Sequence, residues 1–157
     1  FMAVWVILYG LVQANAPRIL RAKSRPTAEL IAAARGWAWA LAVVPAVLAV
    51  AALAANGPQN WLTLSVVAGL LVFGALFAVN SSLHSFLILS FTKAERVTMD
   101  VGFYYMANAA GRLIGTLASG LSYQVGGLPL MLGIAAGMVA LSAVAVSFLT
   151  SEEARAA

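Results

Sequence analysis

Long apolar stretches separated by short polar or charged runs make up most of this chain of 157 residues. With His84 counted as neutral, no charge occurs in residues 1–17, 36–92, 101–111 or 113–151. A helix needs about 20 apolar residues to cross a bilayer, so the 36–92 stretch is too long for one crossing. The turn-forming run at 56–60 (NGPQN) divides it into two.

This pattern predicts an all-α membrane protein with about five transmembrane helices. The fourth predicted span ends at Gly126-Gly127, and Pro129 suits the first turn of the fifth. The first stretch is barely long enough to cross, and its positive charges follow it, whereas a signal peptide carries them in front. We therefore expect a span whose beginning is missing. The predicted spans are roughly 1–17, 36–55, 61–91, 101–123 and 129–149.

Composition supports a membrane location and excludes several classes of function. Hydrophobic residues are 63% of the chain and charged residues 9%, whereas soluble domains carry about 25% charged residues. The pI of about 10.0 does not indicate nucleic-acid binding, because no basic stripe with interleaved aromatic residues accompanies it. The chain has no cysteine and no catalytic triad, phosphate loop or acid pair, so we expect neither an enzyme nor a bound cofactor.

The positive charges predict the orientation in the membrane. They cluster in or beside the predicted loop 18–35, in the loop 93–99 and in the C-terminal tail, while the loops 56–60 and 124–128 have none. Because cytoplasmic loops are enriched in Lys and Arg, the charged loops and the C-terminus are predicted to be cytoplasmic and the chain start external. The residues concerned are Arg18, Arg21, Lys23, Arg25, Arg35, Lys93, Arg96 and Arg155.

The fourth predicted span contains Arg112, a full charge among apolar residues. Arg112 is about 11 residues, or roughly 16 Å, from the cytoplasmic end of that span, which is near the bilayer midplane. Such a charge faces a bundle interior or a water-filled cavity, and it serves either a solute or a structural bond to carbonyl groups. Helical spacing places Tyr105, Asn108, Thr116 and Ser119 on the Arg112 stripe. An adjacent ridge of small residues, which packing alone explains, is Ala107, Gly111, Gly115 and Ser119.

A polar insert, 80–85 (NSSLHS), interrupts the inner half of the third predicted span. Asn80 and His84 are four residues apart and share a helix face with Phe77 and Phe73. The insert either holds helices together by hydrogen bonds or lines a cavity for a polar solute. His84 is a candidate proton carrier. It is the only histidine and no acid lies at its depth, so no metal site is predicted.

Three stretches resemble the ArsJ-type organoarsenical exporters, a branch of the major facilitator superfamily. They are 9–18 (YGLVQANAPR), 71–85 (LVFGALFAVNSSLHS) and 100–117 (DVGFYYMANAAGRLIGTL). The last two are long, ungapped and rich in unusual residues. The resemblance covers most of the chain and weakens in the final span.

The resemblance implies a twelve-helix fold in which this chain supplies helices eight to twelve, a partial C-terminal transmembrane half. It implies a bacterial inner membrane location, N-terminal helices of the same transporter as partners, and export of an arsenylated phosphoglycerate. The alternatives are transport of another small anion and a non-transporting membrane fragment or assembly subunit. From the residues themselves, the predicted solute contacts are Arg112, Asn80, His84, Asn108, Thr116 and Tyr105.

Overall fold

The structure, a computed structural model, describes residues 2–20, 25–55, 57–92 and 95–149. These residues form four helices, and no strand occurs among them. Each helix is long and apolar enough to cross a membrane. The helices are α1 (Met2–Leu20), α2 (Thr27–Ala54), α3 (Asn60–Ser90) and α4 (Val97–Ser147).

Helix α4 is broken at Gly126 and Gly127. Their backbone angles are not helical, and the φ of Gly127 is 63°, a conformation that glycine adopts without steric cost. On either side of the break, the first segment (97–125) and the second segment (128–147) together line a cavity of about 200 Å³. Gly115 and Ser119 lie there beside Met131 and Ala135, so the chain reverses direction at the break.

The described residues form four continuous helices where five spans were predicted, because α4 joins two helical segments across Gly126 and Gly127. The predicted fourth and fifth spans correspond to the two segments of α4, because the glycine pair turns the chain without an intervening loop. Five membrane crossings therefore remain a prediction, while an all-helical chain with four long apolar helices is what the structure establishes.

The helices also extend beyond the predicted spans. α1 continues to Leu20, and α2 begins at Thr27 and includes Glu29 and Arg35, which were predicted to lie in a loop. A helix satisfies its own backbone hydrogen bonds in water as well as in lipid, so charged residues limit the apolar span without ending the helix. Among the positive charges that set the predicted orientation, Arg21, Lys23, Lys93 and Arg155 lie outside the described residues.

Two buried apolar clusters hold the bundle together. One joins all four helices, with Leu20 from α1, Leu30 from α2, Leu83 from α3 and Val146 from α4. The other joins α2, α3 and α4 through Leu48, Leu62 and Leu132 and their neighbours. Contacts are extensive between α2 and α4, between α2 and α3, and between α1 and α3, but sparse between α3 and α4.

The first segment of α4 is consequently at the edge of the bundle. Of its described residues only Ser122 is buried. Its N-cap is Arg96, and Asp100 lies in the first turn, where a negative charge interacts favourably with the helix dipole. This exposed segment carries most of the predicted solute contacts.

Candidate functional site

The first segment of α4 runs antiparallel to α3 and meets it near both ends. At one end the hydroxyl oxygens of Ser85 and Tyr104 are 3.4 Å apart. At the other end Tyr123 lines a cavity together with Val66 and Val67. Few backbone positions approach closely between these points, and we call the intervening space the α3–α4 groove.

The contacts at the two ends determine which residues of α3 and of the first segment of α4 lie side by side along the groove. Nineteen residues separate Val66 from Ser85, and nineteen separate Tyr104 from Tyr123. Both helices rise about 1.5 Å per residue, so Arg112 falls at the level of Phe77. By the same register Tyr105 falls at the level of His84.

The four predicted contacts on α4 are all exposed. Nδ2 of Asn108 donates to the Tyr104 carbonyl at 3.2 Å, and the hydroxyl of Thr116 donates to the Arg112 carbonyl at 2.8 Å. Because the Thr116 hydroxyl proton and one Asn108 proton are used within the helix, the Arg112 guanidinium is the main set of donors on this surface. Tyr105 is 67% exposed and makes an edge contact with Tyr104.

Arg112 has no acidic partner in the described structure. The ion pair found among the described residues joins Arg25 to Glu29 at the start of α2, with a distance of 4.0 Å. A guanidinium within an apolar segment needs a counter-charge or an aqueous cavity. The Arg112 side chain is therefore suited to bind an anion that comes from elsewhere.

The two predicted contacts on α3 differ in their surroundings. Asn80 is 8% exposed, and its buried Oδ1 has no hydrogen-bond partner among the described residues. The half-buried His84 ring donates from Nδ1 to the Asn80 carbonyl oxygen at 3.0 Å, since a carbonyl only accepts. In the neutral ring Nε2 is then an acceptor, so His84 offers an anion a second donor only when it is protonated.

The predicted contacts do not converge in one enclosed cavity within the described residues. Asn80 lies in the bundle interior, His84 is half-buried, and Tyr105, Asn108, Arg112 and Thr116 lie on an exposed surface. Asn80 and Arg112 nevertheless lie at similar positions along the groove, because their offset along the helix axes is about one helical turn.

The sequence placed Phe73 and Phe77 on one face of α3, but it did not show that Trp5 and Tyr9 of α1 extend them into an aromatic row. Ring centroids are 5.5 Å apart for Trp5 and Tyr9, 6.0 Å for Tyr9 and Phe77, and 6.1 Å for Phe77 and Phe73. The spacing of four residues within the pairs Trp5–Tyr9 and Phe73–Phe77 was a usable signal, but the contact of Tyr9 with Phe77 depends on the packing of α1 against α3. Through Phe77, the row places aromatic side chains on α3 at the same position along the helix as Arg112 on α4.

Comparisons with protein-family models, curated proteins and solved structures found no match for this chain. The resemblance to organoarsenical exporters accordingly rests on the three sequence stretches alone. The fold defines a coarser class, an all-helical chain whose four helices have the length and apolarity of membrane spans.

Proposed function

We propose that this chain is part of a membrane exporter for a small organic anion, with Arg112 as the principal anion contact. The observation that carries the proposal is the unneutralised guanidinium in the apolar first segment of α4. A charge at that depth is costly against lipid and is typical of solute pathways. The planar fork of Arg binds carboxylate, phosphate and related oxyanions through two parallel hydrogen bonds.

The open side of the groove requires a cover in the complete transporter. The Arg112 surface is exposed in this chain, and carriers of this general kind bind solute between two helical halves that rock against each other. The N-terminal helices implied by the resemblance would supply the second wall. This chain reconstituted alone should therefore show no saturable transport.

The particular solute we propose is the arsenylated phosphoglycerate that forms when glyceraldehyde-3-phosphate dehydrogenase uses arsenate in place of phosphate. This solute rests on the resemblance, and its chemistry suits the groove. It is a small polyanion, and the Arg112 guanidinium would offer it a permanent positive charge. No Asp or Glu lies in α3, and the acid in the first segment of α4, Asp100, is about three helical turns from Arg112.

Two other functions are alternatives to export of the arsenylated phosphoglycerate. A carrier for another small anion would use the same Arg112 chemistry with a different size limit. A non-transporting assembly subunit would use Arg112 to pair with an acidic or carbonyl group of a neighbouring helix. Because no acid faces Arg112 in the described residues, the first alternative fits the site without an additional protein.

The deciding experiment measures transport in inside-out vesicles that contain the complete protein. Glyceraldehyde-3-phosphate, NAD, arsenate and the dehydrogenase outside the vesicles generate the ester, and accumulation of arsenic inside is followed. Arsenate-dependent uptake that needs the dehydrogenase supports the proposed solute. Uptake of 3-phosphoglycerate or phosphate alone supports another anion. If no anion is taken up and none of the anions changes the thermal stability of the protein, the result supports a non-transporting role.

A further inference from the structure

A cavity of about 470 Å³ lies at the end of the bundle that the charge pattern places outside the cell. It is bounded by the end of α2, the turn at 57–59, the start of α3 and the break in α4. The lining residues used below are Ala55, Gln59, Thr63, Val66, Tyr123 and Leu128. This volume is within the range of small-molecule sites, which span about 300–1,000 Å³.

The lining is apolar and carries no charge. Alanine, leucine, valine and proline side chains provide most of it, and the polar side chains are those of Gln59, Thr63 and Tyr123. Two of the three have partners nearby: Gln59 Oε1 accepts from the Trp61 indole, and the Thr63 hydroxyl donates to the Gln59 carbonyl. The Tyr123 side chain is 58% exposed, and its hydroxyl has no partner among the described residues, so it can bond a ligand at the mouth of the cavity.

This chemistry selects the class of ligand. Moving a carboxylate or ammonium group into such a lining without a partner is costly, whereas an apolar chain or ring gains from leaving water. One hydroxyl or carbonyl on the ligand satisfies Tyr123. The site is thus unlike the Arg112 surface, which lies three helical turns away on the same helix and needs an anion.

We propose that this cavity is a binding site for a small uncharged amphiphile, such as a medium-chain alcohol, which enters from the outer side of the membrane. The ligand occupies the joint between α3 and the first segment of α4 and hydrogen-bonds the Tyr123 hydroxyl. The proposal is independent of anion export, because none of its evidence involves Arg112.

Photolabelling of the whole chain in lipid nanodiscs tests the site directly. The probe is octanol carrying a diazirine, and modified residues are located by peptide mass spectrometry. We expect saturable labelling of the peptides that contain Gln59 and Tyr123. Unlabelled octanol should displace the probe at least tenfold more effectively than octanoate, which has the same chain with a charged head.

Two cavity variants and a control variant distinguish specific binding in the cavity from nonspecific partitioning of the probe into lipid. Ala55→Trp should fill the cavity and abolish the saturable labelling, while Val47→Trp, at an exposed position of α2 that does not line the cavity, should leave it unchanged. If Ala55→Trp fails to fold, Tyr123→Phe should weaken probe binding about fivefold through loss of one hydrogen bond. Unsaturable labelling, equal competition by octanoate, or full binding to both cavity variants would overturn the proposal.

Discussion

The indole ring of Trp5 on α1 lies directly on Gly74 of α3. A Cβ atom added at Gly74 would lie 2.6 Å from Nε1 of Trp5, so only glycine permits this approach. The same Nε1 donates to the Leu70 carbonyl at 2.8 Å. In a helix the carbonyl of residue i is shielded by the side chain at i+4, and the absent side chain at Gly74 leaves that oxygen accessible.

We expect Gly74→Ala to separate α1 from α3 even though alanine favours a helix. The added methyl group displaces the indole, which costs its hydrogen bond and the stacking on Tyr9, together about 1–3 kcal/mol. Thermal unfolding in detergent, with the Trp fluorescence maximum as a second readout, measures the loss. Gly10→Ala is the matched control, because a Cβ there meets nothing within 4 Å and its helix propensity should stabilise α1. Equal stability gains in both variants would refute the close approach.

A second prediction concerns Arg35, whose guanidinium donates to the Leu149 carbonyl at 2.6 Å. This bond fastens α2 to the end of α4, where a positive charge also interacts favourably with the helix dipole. Arg35→Met should lower the free energy of unfolding by about 1.5–3 kcal/mol. Arg25→Met is the control, since Arg25 is exposed and its pair with Glu29 contributes little. If Arg35→Met lowered the free energy of unfolding less than Arg25→Met does, the proposed link between α2 and the end of α4 would be contradicted.

A third prediction concerns the orphaned Oδ1 of Asn80. A buried acceptor without a partner costs about 1–3 kcal/mol, so Asn80→Leu, which keeps the branched shape of the side chain without its polar atoms, should raise the melting temperature. If Asn80 contacts solute, the same variant should lose transport in the complete protein. Asn108→Leu should not stabilise the chain, because Asn108 is exposed and its amide is bonded. A lower melting temperature for Asn80→Leu would indicate a structural partner instead.

A fourth prediction separates binding from packing at Arg112. Arg112→Lys keeps the charge but loses the planar fork and should reduce transport, and Arg112→Gln should nearly abolish it. Because Arg112 is exposed at the bundle edge, the folded yield of both variants should stay normal while solute-induced thermal stabilisation disappears. Arg96→Gln, at the N-cap of α4, is a charge-matched control outside the groove. Normal export by a well-folded Gln variant would exclude Arg112 as the anion contact.

A fifth prediction concerns orientation. Since these 157 residues contain no cysteine, a single cysteine introduced among them reports the side of the membrane on which it lies. An impermeant thiol reagent applied to intact cells should label Asn60→Cys and spare Ala28→Cys, and permeabilised cells should show both. The reverse pattern would invert the predicted topology.

The apolar pattern was sufficient to predict the helices, because helix length and bilayer thickness are both local properties of sequence. Residues 61–91 were predicted as one span, and α3 runs from Asn60 to Ser90. The predicted boundary at Gly126-Gly127 coincides with the break in α4 for the same reason, since a positive φ favours glycine wherever it occurs. α2 begins at Thr27, before the predicted span at 36–55, because charges mark the end of an apolar span and a helix does not have to stop there.

Only the tertiary structure decided which faces meet. Periodicity placed Arg112, Asn108 and Thr116 on one stripe, but their exposure depends on α4 packing mainly against α2 and leaving its first segment at the edge. The Trp5–Gly74 approach, the Arg35–Leu149 bond and the uncharged cavity at Tyr123 each join residues more than 50 positions apart. Pairings at that range follow from how all four helices fill space together, which no local spacing specifies.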